Sequence, residues 1–159
     1  MRRIRIPLST ALVLLLSGVG APVGADEANP EMENAAAEET SLYARLGGYD
    51  ALAAVTDDFI ARLAADESLQ RFFVGHSTDS LAQIRQLIVD QLCEATGGPC
   101  VYTGRTMEAS HGGLHITETD WQAAAGHLVA TLDKLEVPEK EKDEVLALVT
   151  SLHDSIVEE

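Results

Sequence analysis

Apolar side chains recur at helical spacing along most of the chain after Ser41. In "DALAAVTDDFIARLAAD" (50–66), Leu52, Val55, Phe59 and Leu63 fall three and four residues apart, with aspartates and an arginine between them. That spacing gathers them on one face of a helix. "DSLAQIRQLIVDQLCEA" (79–95) repeats the pattern through Leu81, Ile84, Leu87, Ile88, Leu92 and Ala95. "TETDWQAAAGHLVATLDKL" (117–135) opens on threonines able to cap a helix, then lines up Trp121, Ala124, Ala125, Leu128, Leu132 and Leu135. "VPEKEKDEVLALVTSLHDSIVEE" (137–159) sets Pro138 near a helix start and carries the stripe through Val145, Leu148, Val149, Leu152 and Ile156. No window shows sustained alternation of β-branched and aromatic residues with polar ones. The chain therefore predicts an all-α fold.

The pattern breaks between Thr96 and Thr117, where five glycines and a proline punctuate "TGGPCVYTGRTMEASHGGLHIT". A gap of that length between two strong helices usually marks function or disorder. Tyr102, Met107 and His111 lie inside it, and they are residues with reason to be ordered, so function is the reading adopted. The two cysteines, Cys93 and Cys100, bracket "EATGGP" at the start of this zone. In an oxidising compartment they could close a disulfide; otherwise they are two buried or reduced thiols. They supply neither a zinc set nor a C-x-x-C-H haem attachment motif.

The first 40 residues do not follow the helical pattern of the rest. Arg2, Arg3 and Arg5, an apolar stretch at 11–19 and the small residues Val23-Gly24-Ala25 have the build of a secretory signal peptide over 1–25. The apolar run is short for a membrane span, which leaves an uncleaved anchor as the lesser alternative. Residues 26–40 hold six acids and no base, and read as an acidic flexible leader. A single folded domain is then expected over 41–159. The whole chain has a formal net charge of −15; three of its 11 basic residues and none of its 26 acidic ones lie in 1–25, so cleavage would leave −18. Such a surface disfavours nucleic acid and, once the signal is removed, anionic membranes. An exported, periplasmic location is expected.

Among the five histidines, His76, His127 and His153 read as loop or helix residues with structural roles. His111 and His115 stand four apart, yet Gly112 and Gly113 argue against the regular helix a zinc pair would need. Ser110 and His111 are adjacent and point apart, and no G-x-S-x-G turn occurs, so a hydrolase is disfavoured. One chemistry asks for a single histidine in an apolar helical cage, namely haem iron held on one side by a neutral imidazole.

The motifs "LYARLGG", "VTDDFIARLAADESLQRFF", "ATGGPCVYTGRTMEASHGGL" and "AGHLVATLDKLEVPEKE" occur in one order over nearly the whole of 41–159. Together they resemble the group I truncated haemoglobins. The resemblance implies a two-over-two helical sandwich around haem b, with a nearly absent helix on the proximal side. It assigns the metal ligand to His111. It further assigns Phe73 to a ring packed on the haem face, and Leu92, Tyr102, Met107, Trp121 and Leu128 to the pocket lining. Each of these has a plain core-packing reading beside it.

Two departures from the family pattern stand out. After "DDF" many members carry a tyrosine that donates a hydrogen bond to bound dioxygen; here the residue is Ile60. The distal-helix position where members often place glutamine or histidine falls on Ile84 or Ile88. A pocket so lined lacks a donor worth roughly 0.5–1.5 kcal/mol to a polar ligand. Fast dioxygen dissociation and easy autoxidation are expected, unless His76 or Gln83 supplies the donor. The function so implied is reversible binding and transport of dioxygen, with nitric oxide and carbon monoxide as further gas ligands. Nitric oxide detoxification would be an added enzymatic activity requiring an electron donor from outside the chain. The alternatives are an exported haem-binding or redox-sensing module without gas transport, and a haem-free helical interaction domain.

Overall fold

Four of the six described α-helices begin at a Ser or Thr whose hydroxyl accepts from a backbone amide of the first turn. The computed structural model describes residues 41–158; the expected signal peptide (1–25) and acidic leader (26–40) lie outside the described residues. Ser41 caps α1 (Leu42–Leu46), its hydroxyl accepting from the Ala44 amide at 3.2 Å. The chain reverses at Gly47 and enters α2 (Gly48–Ala65). A 3-10 turn (Gln70–Phe73) leads to α3 (Thr78–Ala95), capped by Ser77. The one-turn α4 (Met107–His111) follows the glycine-rich zone. α5 (Glu118–Lys134) starts on a capping box in which Thr117 and Asp120 each satisfy the other's backbone amide. α6 (Glu139–Thr150) follows Pro138, and a last 3-10 turn spans His153–Ser155. No strand occurs among the described residues.

The helices pack as two layers of two. α2 lies against α3, α5 lies against α6, and α2 crosses onto α5, while α1 bridges α2 and α6. This is the expected two-over-two sandwich. Its buried centre is Leu42, Val55, Leu128, Leu132 and Val145, so it is built by α1, α2, α5 and α6. Each fully buried aliphatic side chain in this cluster contributes about 1.5–3 kcal/mol. α3 instead buries Val89 and Cys93, one turn apart.

Charged pairs tie the layers at their margins. Arg45 of α1 meets Glu141 at 2.9 Å and also Glu144, both on α6. Asp58 of α2 accepts from Arg62, from Thr131 of α5 at 3.0 Å and from Lys134. Arg71 in the first 3-10 turn reaches Asp120 at the start of α5, 2.7 Å away. Every fully buried side-chain polar atom among the described residues has a partner.

One helix is shorter than its apolar pattern suggests. The stripe through Leu152 and Ile156 predicts a helix to that point, but α6 stops at Thr150. The tail then turns through the final 3-10 segment and runs beside the loop after α4, where the Glu158 amide donates to the Ile116 carbonyl at 2.8 Å. Leu152 and Ile156 remain half-buried along this path, so a spacing compatible with helix is satisfied by a turn. Cys93 and Cys100 form a disulfide with Cα atoms 5.7 Å apart, joining the end of α3 to the glycine-rich zone.

Candidate functional site

His111 is the last residue of α4, and its ring is fixed by the turn that carries it. Thr106 caps this turn by accepting from the Ala109 amide at 3.2 Å. Nδ1 of His111 lies 2.9 Å from the Met107 carbonyl oxygen, one turn back. A carbonyl only accepts, so Nδ1 carries the hydrogen, and in the neutral ring that tautomer puts the lone pair on Nε2. A second group that holds the remote nitrogen is how histidine ligands are oriented.

The two glycines after His111 have separate reasons. The Gly112 amide donates to the Glu108 carbonyl at 2.8 Å, and a Cβ on Gly112 would stand 2.8 Å from that same oxygen. No side chain fits there without shifting the end of α4. Gly113 adopts φ +82°, a left-handed conformation that lets the chain turn back at once. The Leu114 amide then closes onto the His111 carbonyl at 3.0 Å. His111 is thus held at the tip of a short, closed turn.

A second row of apolar residues runs beside the buried ones. Ile84, Ile88 and Leu92 are spaced by four along α3, and all three are half-buried although aliphatic. Ile60, on α2, is half-buried as well, as are Phe73 in the first 3-10 turn and Met107 at the start of α4. Tyr102 is half-buried with its hydroxyl donating to the Arg105 carbonyl at 2.6 Å. Trp121 sits edge-on to the His153 ring, 5.1 Å between centroids. Leu128 is 4% exposed and belongs to the buried core cluster between the layers.

The other histidines are otherwise engaged. His127 Nε2 is 2.7 Å from Asp66 Oδ2. The Ser68 hydroxyl and this histidine together hold the Asp66 carboxyl far below the usual range. His153 lies 2.8 Å from both Asp154 and Glu118, and these carboxylates raise its pKa. His76, just before α3, is exposed with Nδ1 2.9 Å from Ser80 Oγ, and Gln83 is exposed on α3. Gln86 donates to the Tyr49 hydroxyl at 2.7 Å and to Asp90 at 2.8 Å. No cluster of three or more metal-ligating side chains occurs among the described residues. The sequence reading missed two parts of this arrangement: the Met107 carbonyl behind His111, and the tail that reaches the following loop. Neither a main-chain acceptor nor a contact between residues more than 40 positions apart leaves a signal in sequence spacing.

Known proteins share this fold. Residues 41–158 match the bacterial-like globin family. A group 1 truncated haemoglobin of Mycolicibacterium paratuberculosis is 36% identical over 120 residues, covering 76% of this chain and 86% of that protein. The crystal structure of the Tetrahymena pyriformis truncated haemoglobin in its Fe(III) form superposes with a TM-score of 0.68 at 28% identity, over 76% of this chain and 100% of that one. A Synechococcus 2/2 haemoglobin, described in the cyanomet state with covalently attached haem, gives 0.64 at 34% identity, over 70% of this chain and 91% of that one. The chain belongs to the bacterial-like globins, and within them to the group 1 truncated haemoglobins.

Proposed function

We propose that this protein binds haem through His111 and uses it to carry dioxygen reversibly. The observation that carries this reading is the His111 ring, anchored through Nδ1 to the Met107 carbonyl with Nε2 left as a donor. Family membership supports it, since globins are haem proteins that bind gases. The half-buried row Ile84, Ile88 and Leu92, together with Ile60, Phe73 and Met107, fits a flat apolar macrocycle. A haem held there supplies an iron coordination position open to a diatomic ligand.

The chain's own residues then set the terms of binding. Ile60, Ile84 and Ile88 exclude water but offer no proton to a ligand. His76 is already paired with Ser80, which favours a distal side without a donor. Dioxygen, which gains from a donor more than carbon monoxide does, is thereby held weakly. Haem b, held without thioether bonds, is the form in keeping with this chain, because Cys93 and Cys100 are committed to each other. That disulfide also supports an oxidising, periplasmic location after signal cleavage at about residue 25. Nitric oxide detoxification at the same site would draw its electrons from a partner protein.

The test is the visible spectrum of the purified protein, with and without reductant, under dioxygen and under carbon monoxide. A Soret band that shifts reversibly with each gas, and is lost in H111A, is the expected result. A band that survives H111A unchanged rules out His111 as the ligand. A band indifferent to both gases favours an exported haem-binding or redox-sensing module instead.

A further inference from the structure

The loop after His111 is held from the far end of the chain. Both carboxylate oxygens of Glu158 are used: Oε1 accepts from the Gly113 amide at 2.5 Å, and Oε2 accepts from the His115 amide at 3.1 Å. Gly113 at φ +82° and His115 at φ +54° are both left-handed, which turns their amides towards one point. Converging backbone amides of this kind form an anion-binding concavity, and here the chain fills it with its own side chain. Glu158 is itself fixed, its amide donating to the Ile116 carbonyl at 2.8 Å. Upstream, the tail is fastened by His153, which meets Glu118 at 2.8 Å and packs on the edge of Trp121. The final 3-10 turn also packs directly against α4.

His115 at positive φ is the telling feature. A residue with a Cβ costs free energy in that conformation and persists there only when its surroundings demand it. Its side chain is 89% exposed, so packing does not hold it. What holds it is Glu158, whose Oε2 accepts from its amide at 3.1 Å and lies 3.3 Å from its ring Nδ1. The loop so shaped starts immediately after His111, whose carbonyl receives the Leu114 amide.

We propose that Glu158 is a positioning residue for His111: its carboxylate sets the 112–116 loop and, through it, the pose of the imidazole. This rests on His111 being the haem ligand. His111 is then secured twice, through its remote nitrogen by Met107 within α4 and through the following loop by Glu158 from outside it. No contact between Glu158 and the haem is required.

The test uses the full-length haem-loaded protein and the variants E158A, E158Q and H115A. Haem transfer to excess apomyoglobin is expected to be about tenfold faster for E158A, or about 1.4 kcal/mol. E158Q retains one side-chain oxygen and is expected to fall between E158A and wild type. H115A retains its backbone amide and loses only the 3.3 Å contact of its ring with Glu158, at a side chain 89% exposed, so it is expected to stay close to wild type. The iron–histidine stretching band of the ferrous, ligand-free protein should shift or broaden in E158A alone, a change that general loosening elsewhere would not produce. In the haem-free protein, exchange of the Gly113 and His115 amides should be slow in wild type and fast in E158A. Wild-type haem transfer and an unaltered stretching band in E158A would overturn the proposal, as would an H115A effect equal to that of E158A. A wild-type protein with no Soret band would remove the haem reading and this role with it, whereas the amide exchange reports on the clamp independently of haem.

Discussion

Breaking the Cys93–Cys100 bond should cost the protein a defined amount of stability without unfolding it. The bond spans a sequence separation of 7 residues. Closing a loop of that size in the unfolded chain removes entropy worth about 2.4 kcal/mol at 25 °C, from the chain-entropy relation. The folded state keeps its geometry through main-chain bonds that do not involve sulfur. The Gly98 amide donates to the Cys93 carbonyl at 2.8 Å, and the Tyr43 amide donates to the Thr96 carbonyl at 2.8 Å. For a folded unit of this length the loss corresponds to a fall in Tm of about 10 °C. The assay is urea unfolding of the full-length protein with and without dithiothreitol, with alkylation and mass measurement confirming the thiol state. The double variant C93A/C100A should lose at least as much, because Cys93 is completely buried and alanine leaves space behind it. Equal midpoints for the oxidised and reduced proteins would refute the reasoning. So would two alkylatable thiols in protein never exposed to reductant.

Two further outcomes follow from other parts of the molecule. I60Y places a hydroxyl donor on α2 beside the aliphatic row of α3, and dioxygen dissociation measured by stopped flow should slow about tenfold, the worth of one net hydrogen bond; an unchanged or faster rate would show that the distal side already has its donor. Asp154 and then Glu118 raise the pKa of His153 from its ordinary 6.5, so its contribution to stability is complete below that value and is lost as pH rises through the raised folded one. Thermal melts across about pH 6–9 should show that decline in wild type and not in H153Q, and identical slopes would count against it.

Helix periodicity made most of the fold legible. The stripes over 50–66, 79–95 and 117–135 correspond closely to α2, α3 and α5, because an amphipathic stripe has one use in a small domain, to face a core. The end of α6 was less legible. Leu152 and Ile156 continue the spacing of a helix, yet the main chain gives up that helix so that the tail can dock beside Ile116. Leu128 shows a related limit, since its register is equally compatible with a pocket wall and with the core cluster where the structure places it. Half-burial of Ile60, Ile84 and Ile88 is likewise invisible in a sequence, which records that a residue is apolar but not how much of it is covered.

What the sequence determined by itself is local: helix or not, where caps and glycines interrupt, and that a lone histidine ends a short turn. These are settled by interactions within four or five residues, such as the Thr106 cap and the crowding that forbids a side chain at Gly112. The sequence left the pairing of Cys93 and Cys100 open between disulfide and thiols, and the structure shows the disulfide; tertiary structure alone decided that Glu158 closes on the amides of Gly113 and His115. The physical reason is distance along the chain. Glu158 stands more than 40 residues from the loop it holds, and the packing of the final turn against α4, with the bond of its own amide to Ile116, brings that carboxylate to the loop behind His111.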